Sequence, residues 1–485
     1  MKGITILGLG PGNPGQITRE AWEWLQGCGE VYLRTRKHPV VQSLPPDLVI
    51  HSFDEYYDQG SSFEEVYDKI IQSILQEGLR GQGVTYAVPG HPFIAEVTGP
   101  EIYRRAKDMG IPVRIIAGVS FLEVVFTALG LDPFPQISLV DALEIAARQH
   151  PPFPADQPAL IAQVYNRQVA AEVKLVLNRV YPDLHPVRLV HGAGTAEEVV
   201  ENLSLYEIDR SRKTDLLTSL YIPPLGLGSS LQAFQDVVAR LRAPDGCPWD
   251  REQTRQSLRP YILEETYEVV SAIDEDNLPD LKEELGDLLL QIVLQAQIAT
   301  EENEFTLEEV IQGIQEKIVR RHPHVFGDVQ VADVAGVLNN WEKLKDKERG
   351  EKPQKSKGIL DSVPKALPAL VQAQQYQSRA GHVHLDWSEG HDLSRRIVDI
   401  VSGMSRKESL AYENPSELGD LLFAVVDLIR RQKMDAESVL REANLRFARR
   451  IQEVETLARQ QEKSLADLSQ DEIRQLWINS AGNAK

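Results

Sequence analysis

Residues 259–299 read RPYILEETYEVVSAIDEDNLPDLKEELGDLLLQIVLQAQIA. Ile262, Val269 and Ile273, then Leu281, Leu285, Leu288 and Ile292, recur at helical spacing. Between them lies a polar turn, residues 274–279, with Asn277 suited to a cap and Pro279 to a first helical turn. The stretch therefore predicts two antiparallel helices. Glu264, Glu265 and Glu268 stand at i, i+1 and i+4 on the first helix, and Glu283, Glu284 and Asp287 repeat that spacing on the second. In an antiparallel hairpin, residues equidistant from the turn lie at one height. Glu268 pairs in this way with Glu284, and Glu265 with Asp287. Four carboxylates meeting at one seam repel each other strongly. Hard divalent cations remove that conflict, and an all-oxygen donor set suits Mg²⁺ or Mn²⁺. A solvated acidic face is the other reading. The mirror placement and the apolar neighbours favour the metal.

The chain of 485 residues has room for two to four domains, and its composition is that of a soluble globular protein. A net charge of −20 argues against a nucleic-acid polymer or a membrane surface as partner, and leaves room for a local basic pocket. The two cysteines, Cys28 and Cys247, are too few and too far apart for a disulfide framework, which fits a reducing cytoplasm. The opening MKGITILGLGPGNPG is too short in its apolar run and too rich in glycine for a signal peptide. No run approaches the roughly 20 apolar residues of a membrane span.

Upstream of the hairpin, strand and helix patterns alternate, which predicts an α/β layered domain. Strand-like runs fall at 3–9, 31–34, 84–88, 113–116, 159–163, 187–190 and 216–222. Helical patterns fall at 18–26, 64–76, 97–109, 121–128, 169–180 and 196–203. Glycine turns directly follow three of the strands: Gly8-Leu9-Gly10-Pro11-Gly12-Asn13, Pro89-Gly90-His91-Pro92 and Ala117-Gly118-Val119-Ser120. Turns of this kind at strand ends let a ligand approach backbone closely. The first is no dinucleotide fingerprint, because Asn13 stands where the last glycine belongs and Pro11 has no N–H to offer a pyrophosphate.

GLGPGNPGQIT (8–18), TYAVPGHPFIAEVT (85–98), IAGVSFLEVV (116–125), HGAGTAEEVVENLSLYEID (191–209) and TSLYIPPL (218–225) together resemble the tetrapyrrole (corrin/porphyrin) methylase family. The resemblance covers residues 2–225. It implies a two-lobed α/β fold that binds S-adenosylmethionine between its lobes. By matching motif it implies cofactor contacts at Pro11, at Gly90, His91 and Pro92, and at Gly118, Val119 and Ser120. Asn13 and His91 stand where many members carry aspartate, which leaves the methyl acceptor open.

From Leu231 onward the pattern is helix after helix. Residues 243–250 form a turn-rich segment in which Cys247 reads as a structural thiol. Residues 305–321 form an amphipathic helix that ends at Arg320-Arg321-His322-Pro323-His324, where the two histidines read as a helix-terminating turn. Residues 338–347 predict a further helix. Lys317 and Arg321 share a helix face, as do Trp341 and Lys345. In an acidic chain these cations suggest phosphate contacts. Trp341 is suited equally to stacking a base and to filling a core.

CPWDREQT (247–254), the acidic hairpin, RRHPHVFGD (320–328) and NWEKLKDKE (340–348) together resemble the MazG-type nucleoside triphosphate pyrophosphohydrolases over residues 231–347. The resemblance implies Mg²⁺-dependent cleavage of a nucleoside or deoxynucleoside triphosphate to the monophosphate and pyrophosphate, in an all-α fold that usually dimerises, so that a homo-oligomer through the helical units is expected. It implies Glu265, Glu268, Glu284 and Asp287 as metal ligands, Glu264 as an auxiliary carboxylate, and Lys317, Arg321, Trp341 and Lys345 as nucleotide contacts. Glu264, as a carboxylate near the ligands, is the candidate to accept the water proton.

Farther on, SELGDLL (416–422) echoes EELGDLL (283–289), and residues 434–450 echo 305–321, with Arg446 and Arg450 at the offsets of Lys317 and Arg321. In this second copy Arg395 and Arg396 replace the first two glutamates. The expected organisation is multidomain. It comprises an α/β two-lobed methylase-like domain (1–225), a MazG-like all-α unit (231–347), a linker (348–365) and a second MazG-like unit (366–485) that keeps Asp399, Glu417 and Asp420 but is expected to be inactive. The alternative function is methyl transfer from S-adenosylmethionine to a tetrapyrrole-like acceptor, with the helical part as oligomerisation scaffold. A sensor that binds without turnover is a third reading.

Overall fold

Five short strands, β1 (Ile4–Gly8), β2 (Glu30–Leu33), β3 (Val49–Ser52), β4 (Val84–Val88) and β5 (Val113–Ile116), pair in parallel in the order β3-β2-β4-β1-β5. They belong to a computed structural model that describes residues 3–59, 62–331, 333–334, 336–337, 340–341, 344, 358–361, 363–383, 385, 393–405 and 415–480. The chain separates into two compact units, Met1–Glu316 and Lys317–Lys485.

β1 and β4 are buried at all five of their positions, as continuous apolar runs in a parallel sheet with both faces covered require. The side chains alternate between two cores. Ile4, Ile6, Tyr86 and Val88 pack with Val66, Ile70 and Ile74 of helix Phe63–Glu77 and Ile102 of helix Thr98–Asp108. Leu7, Leu9, Leu33, Ala87 and Ile116 pack with Ala21 and Leu25 of helix Arg19–Gly27 on the other face.

A second sheet runs β6-β7-β10-β8-β9, from β6 (Ser138–Asp141), β7 (Ala159–Ala162), β8 (Pro186–His191), β9 (Val199–Ser204) and β10 (Thr218–Ile222). Its β6–β7 pair is parallel and the other pairs are antiparallel. Here the structure corrects the sequence reading, because residues 196–203 are not a helix. The β-branched Val199 and Val200 enter β9, which pairs antiparallel with β8 from Pro186↔Ser204 to His191↔Val199. Gly192 and Gly194 turn the chain between the two strands at φ +53° and +78°, a region open to glycine.

Past β10 the first unit is helical. Leu231–Arg242, Pro248–Glu252, Arg259–Asp274, Leu278–Glu301 and the start of Leu307–Arg321 enclose a core of Val238, Leu258, Val293, Leu294, Ile298 and Leu307. In the second unit, helices Ala369–His382, Leu393–Ser405, Pro415–Arg431, Ala436–Gln460 and Gln470–Ser480 are described. Val454, Ala458, Leu468 and Leu476 form a core there. The expected helix at 338–347 lies largely outside the described residues, although Trp341 is helical. Among the described residues no helix is long and apolar enough to cross a membrane.

Candidate functional site

The hairpin forms as the sequence indicates. Pro260 sits in the first turn of helix Arg259–Asp274, and Pro279 in that of Leu278–Glu301. Asn277 caps the second helix by accepting from Asp280 N at 3.4 Å. Asp276 takes φ +52° between them, and the N–H groups of Asp276 and Asn277 donate back to Ile273 O and Ala272 O at 3.1 and 3.0 Å. This tight reversal satisfies the last carbonyls of the first helix and sends the chain back alongside it.

The reversal brings Glu265, Glu268 and Glu284 together, with one carboxylate oxygen of each within 4.8 Å of the others. Among the described residues no other three metal-ligating side chains converge in this way. Partial burial, then the charges of Asp287, Glu268 and Glu284, raise the Glu265 carboxyl above its ordinary value. Glu284 is raised in the same direction by desolvation and then by Glu268, Asp287 and Glu283. Asp287 thus lies close enough for its charge to be felt, although it stands outside the group of three. Glu264 is exposed and is not in that group either. The donor set is all oxygen and its members repel each other, a combination that fits Mg²⁺ or Mn²⁺.

Lys317 and Arg321 lie one turn apart on helix Leu307–Arg321, with Lys317 exposed. The Arg321 guanidinium sits 5.5 Å from the centre of the Trp341 ring. Lys345 lies outside the described residues. His322 follows the helix end and its Nδ1 bonds Ile318 O at 2.7 Å, so it serves the turn. Sequence reading passed over Trp249 and Tyr261, whose exposed rings meet edge to face at 5.9 Å, with Tyr261 one helical turn before Glu265.

In the second unit, Arg395 is exposed on the helix that carries Asp399, and Glu417 and Asp420 lie on helix Pro415–Arg431. The side chain of Arg396 lies outside the described residues. The Arg450 guanidinium stands 3.8 Å from the centre of the Trp477 ring and also donates to Trp477 O at 2.7 Å.

The three glycine turns of the N-terminal part meet at the C-terminal ends of β1, β4 and β5, which are neighbours in the sheet. Gly10 and Gly90 bond each other through both backbone groups, at 3.2 and 2.8 Å. A Cβ on Gly118 would stand 2.3 Å from Gly90 O and 2.9 Å from Gly8 Cα, so only glycine permits this approach. At Gly90 a Cβ would meet nothing within 4 Å, so that turn borders open space. Pro11, Pro92 and Gly118 are buried here, while His91 and Val119 are half-buried. His91 Nδ1 accepts from Phe93 N at 3.1 Å. Ser120 caps helix Phe121–Leu129 through Leu122 N and also donates to Glu123, so its hydroxyl is already engaged. These turns offer backbone polar groups and open space, which fits a nucleoside-bearing cofactor.

The MazG nucleotide pyrophosphohydrolase domain matches residues 253–326, and the tetrapyrrole (corrin/porphyrin) methylases match residues 3–209. The chain is 39% identical over 482 residues to the Bacillus subtilis protein YabN, covering 98% of this chain and 97% of that one. It is 38% identical over 255 residues to the nucleoside triphosphate pyrophosphohydrolase/pyrophosphatase MazG of Thermotoga maritima, covering 53% of this chain and 97% of that one. It is 39% identical over 246 residues to the nucleoside triphosphate pyrophosphohydrolase of Escherichia coli strain K12, covering 50% of this chain and 93% of the relative.

Proposed function

This chain belongs to the MazG nucleoside triphosphate pyrophosphohydrolase family and carries a tetrapyrrole methylase domain ahead of the MazG domain, and from that premise we propose that it hydrolyses a nucleoside or deoxynucleoside triphosphate to the monophosphate and pyrophosphate with Mg²⁺. The observation that carries the reading is the convergence of Glu265, Glu268 and Glu284 within 4.8 Å. Those three residues and Asp287 would hold the ion. When bound, Mg²⁺ supplies charge neutralisation at the phosphates and a lowered pKa for a bound water.

The protein's own groups do the rest. Glu264, beside the ligands, would accept the proton of the attacking water. Lys317, Arg321 and Lys345 would neutralise charge gathering on the leaving pyrophosphate, with Trp341 against the nucleotide. These roles rest on residue type, helical spacing and the resemblance to the family.

In the N-terminal domain, Pro11, Gly90, His91, Pro92, Gly118, Val119 and Ser120 would hold S-adenosylmethionine, a methyl donor when bound. Ser120, already engaged as a cap, would contribute backbone. We assign residues 1–225 to this domain, 231–347 to the active MazG-like unit, 348–365 to a linker and 366–485 to a second, inactive copy.

Homo-oligomerisation through the helical part is supported by apolar side chains that the single chain leaves exposed. Leu285, Leu289 and Ile292 on the hairpin and Ile311, Ile314 and Ile318 on the next helix are examples. Two free cysteines suit a cytoplasmic location.

Product analysis tests the reaction. The full chain, given each common nucleoside and deoxynucleoside triphosphate with Mg²⁺, should release monophosphate and pyrophosphate in equal amounts. Release of orthophosphate, or no turnover of any of them, would overturn the reading.

A further inference from the structure

Beside the glycine turns lies a second group of polar side chains that the cofactor reading leaves without a role. Arg34 follows β2, and its backbone N–H donates to Ala87 O of β4 at 3.0 Å, so it starts from the same strand ends. Its guanidinium pairs with the carboxylate of Glu96, whose side chain is 2% exposed. Glu96 in turn accepts from Thr98 N at 2.9 Å and from the Thr98 hydroxyl, which meets Tyr86 OH at 2.8 Å. Tyr57 and Tyr67 stand beside this network with ring centroids 6.3 Å apart. His38, 6% exposed, joins it to the first glycine turn by bonding the Gly10 backbone.

Three buried polar atoms in this one patch have no protein partner: Arg34 Nε, His38 Nδ1 and Tyr57 OH. Such atoms are uncommon, because a buried group left unbonded costs about 1–3 kcal/mol. Three together mark a place where a ligand supplies the missing bonds.

Charge restricts that ligand. Arg34 is half-buried, its side chain 24% exposed, and the buried Glu96 carboxylate holds it charged and neutralises it. Burial and then the Arg34 charge push His38 down to about 4, so it is neutral near pH 7. Burial pushes Tyr57 up to about 12, so its hydroxyl keeps its proton. The next arginine, Arg36, is exposed and donates to Ile50 O. The patch therefore presents hydrogen-bonding groups with no net positive charge. A porphyrin- or corrin-type acceptor carries several ionised carboxylates, and burying those requires unpaired cations.

We propose that Arg34, His38, Tyr57 and Glu96 form the acceptor-binding end of this cleft, and that the acceptor presents an uncharged hydrogen-bonding group of the amide or alcohol class. The proposal rests on reading the neighbouring turns as the S-adenosylmethionine site. Glu96 sets the specificity by cancelling the Arg34 charge.

A matched pair of probes tests it. Acetamide and acetate have nearly one shape and differ by a unit charge. Saturation-transfer NMR on the full chain, saturated with S-adenosylhomocysteine, compares their binding in wild type, Tyr57→Phe and Glu96→Gln. In wild type acetamide should be favoured over acetate by about tenfold, a difference of about 1.4 kcal/mol. Tyr57→Phe should weaken acetamide, and Glu96→Gln, which frees the Arg34 charge, should reverse the order. Preference for acetate in wild type, binding of neither probe, or preferences that ignore both substitutions would overturn the proposal. Calorimetry of S-adenosylhomocysteine on the same samples separates the two ideas. Cofactor binding without the expected probe pattern sinks only the acceptor site, whereas no cofactor binding sinks the reading it rests on.

Discussion

A carboxylate oxygen of Glu265 lies within 4.8 Å of one of Glu284, on the opposite helix of the hairpin, and both carboxyls are held above their ordinary values. Each is raised partly by the charge of its neighbours, so the site is electrostatically unfavourable while it holds only carboxylates. A divalent cation relieves that cost, so metal binding and stability of the hairpin are linked. Adding Mg²⁺ should raise the thermal midpoint of the wild-type chain at pH 7.5. It should raise that of Glu265→Gln much less, because one repelling charge and one ligand are gone. Differential scanning fluorimetry with and without the ion checks this, and equal shifts in the two proteins would count against a metal role for Glu265.

Replacing Asp287 by asparagine tests the proposed fourth ligand, which stands outside the group of three. The volume hardly changes, so the helix should survive. Turnover should fall by more than the roughly 10–100-fold typical of losing an outer-shell partner. Steady-state kinetics across a Mg²⁺ titration would show it. Activity near that of wild type would restrict the donor set to the three glutamates.

Stability of the N-terminal domain should depend on His38. Its folded pKa, about 4, lies below the ordinary histidine value. Between those two values the unfolded chain binds a proton that the folded protein does not. Stability is therefore fully present above pH 6.5 and is lost as pH falls toward 4, by up to about 3 kcal/mol. Relative to His38→Gln, the wild-type thermal midpoint should drop over that window, and parallel curves would show that His38 is not buried as described.

Gly118 and Gly90 should respond differently to substitution. A methyl at Gly118 would collide with the backbone of Gly90 and Gly8, so Gly118→Ala should destabilise the whole domain. At Gly90 a side chain meets open space, although φ is +66° and a β-branched residue is strained there. Gly90→Val should keep the domain folded, with a modest loss of stability, and abolish S-adenosylhomocysteine binding by entering the cleft. Circular dichroism paired with calorimetry distinguishes the two. A folded Gly90→Val protein with unchanged affinity would place the cofactor elsewhere.

The proposed second MazG-like copy, residues 366–485, should be dispensable for chemistry. Arg450 over Trp477 repeats the pairing of Arg321 with Trp341, at 3.8 against 5.5 Å from the ring centre. Arg395 stands where the first copy has Glu264, and an arginine keeps its charge and repels a cation. Neutralising Glu417 and Asp420 together should leave turnover within a few-fold of wild type. Loss of turnover in a folded and correctly assembled Glu417→Gln/Asp420→Asn variant would show that this copy is needed.

The hairpin was legible in the sequence because its signals are local. Periodic apolar residues, Asn277 and the two prolines specify helix, turn and helix without reference to anything distant. The clustering of Glu265, Glu268 and Glu284 follows from that geometry alone. The glycine turns were legible as elements, and their contact became visible only with the sheet order that makes β4, β1 and β5 neighbours. Strand β9 was misread because the expected helix at 196–203, carrying two valines and three glutamates, suits helix and strand alike, and pairing with β8 decides between them. Strands β3 and β6 were missed for a related reason, since their four residues are only partly buried. The Arg34–Glu96 pair left no local trace, because its members are 62 residues apart and join only through the fold.

Pyrophosphate release by the full chain, measured in wild type and Glu268→Gln across a titration of Mg²⁺ against chelator, bears most directly on the proposed activity. The expected result is turnover in wild type that rises with free Mg²⁺ and vanishes in excess chelator, with Glu268→Gln nearly inactive at every concentration. Turnover that persists in excess chelator, or a folded Glu268→Gln protein as active as wild type, would contradict it.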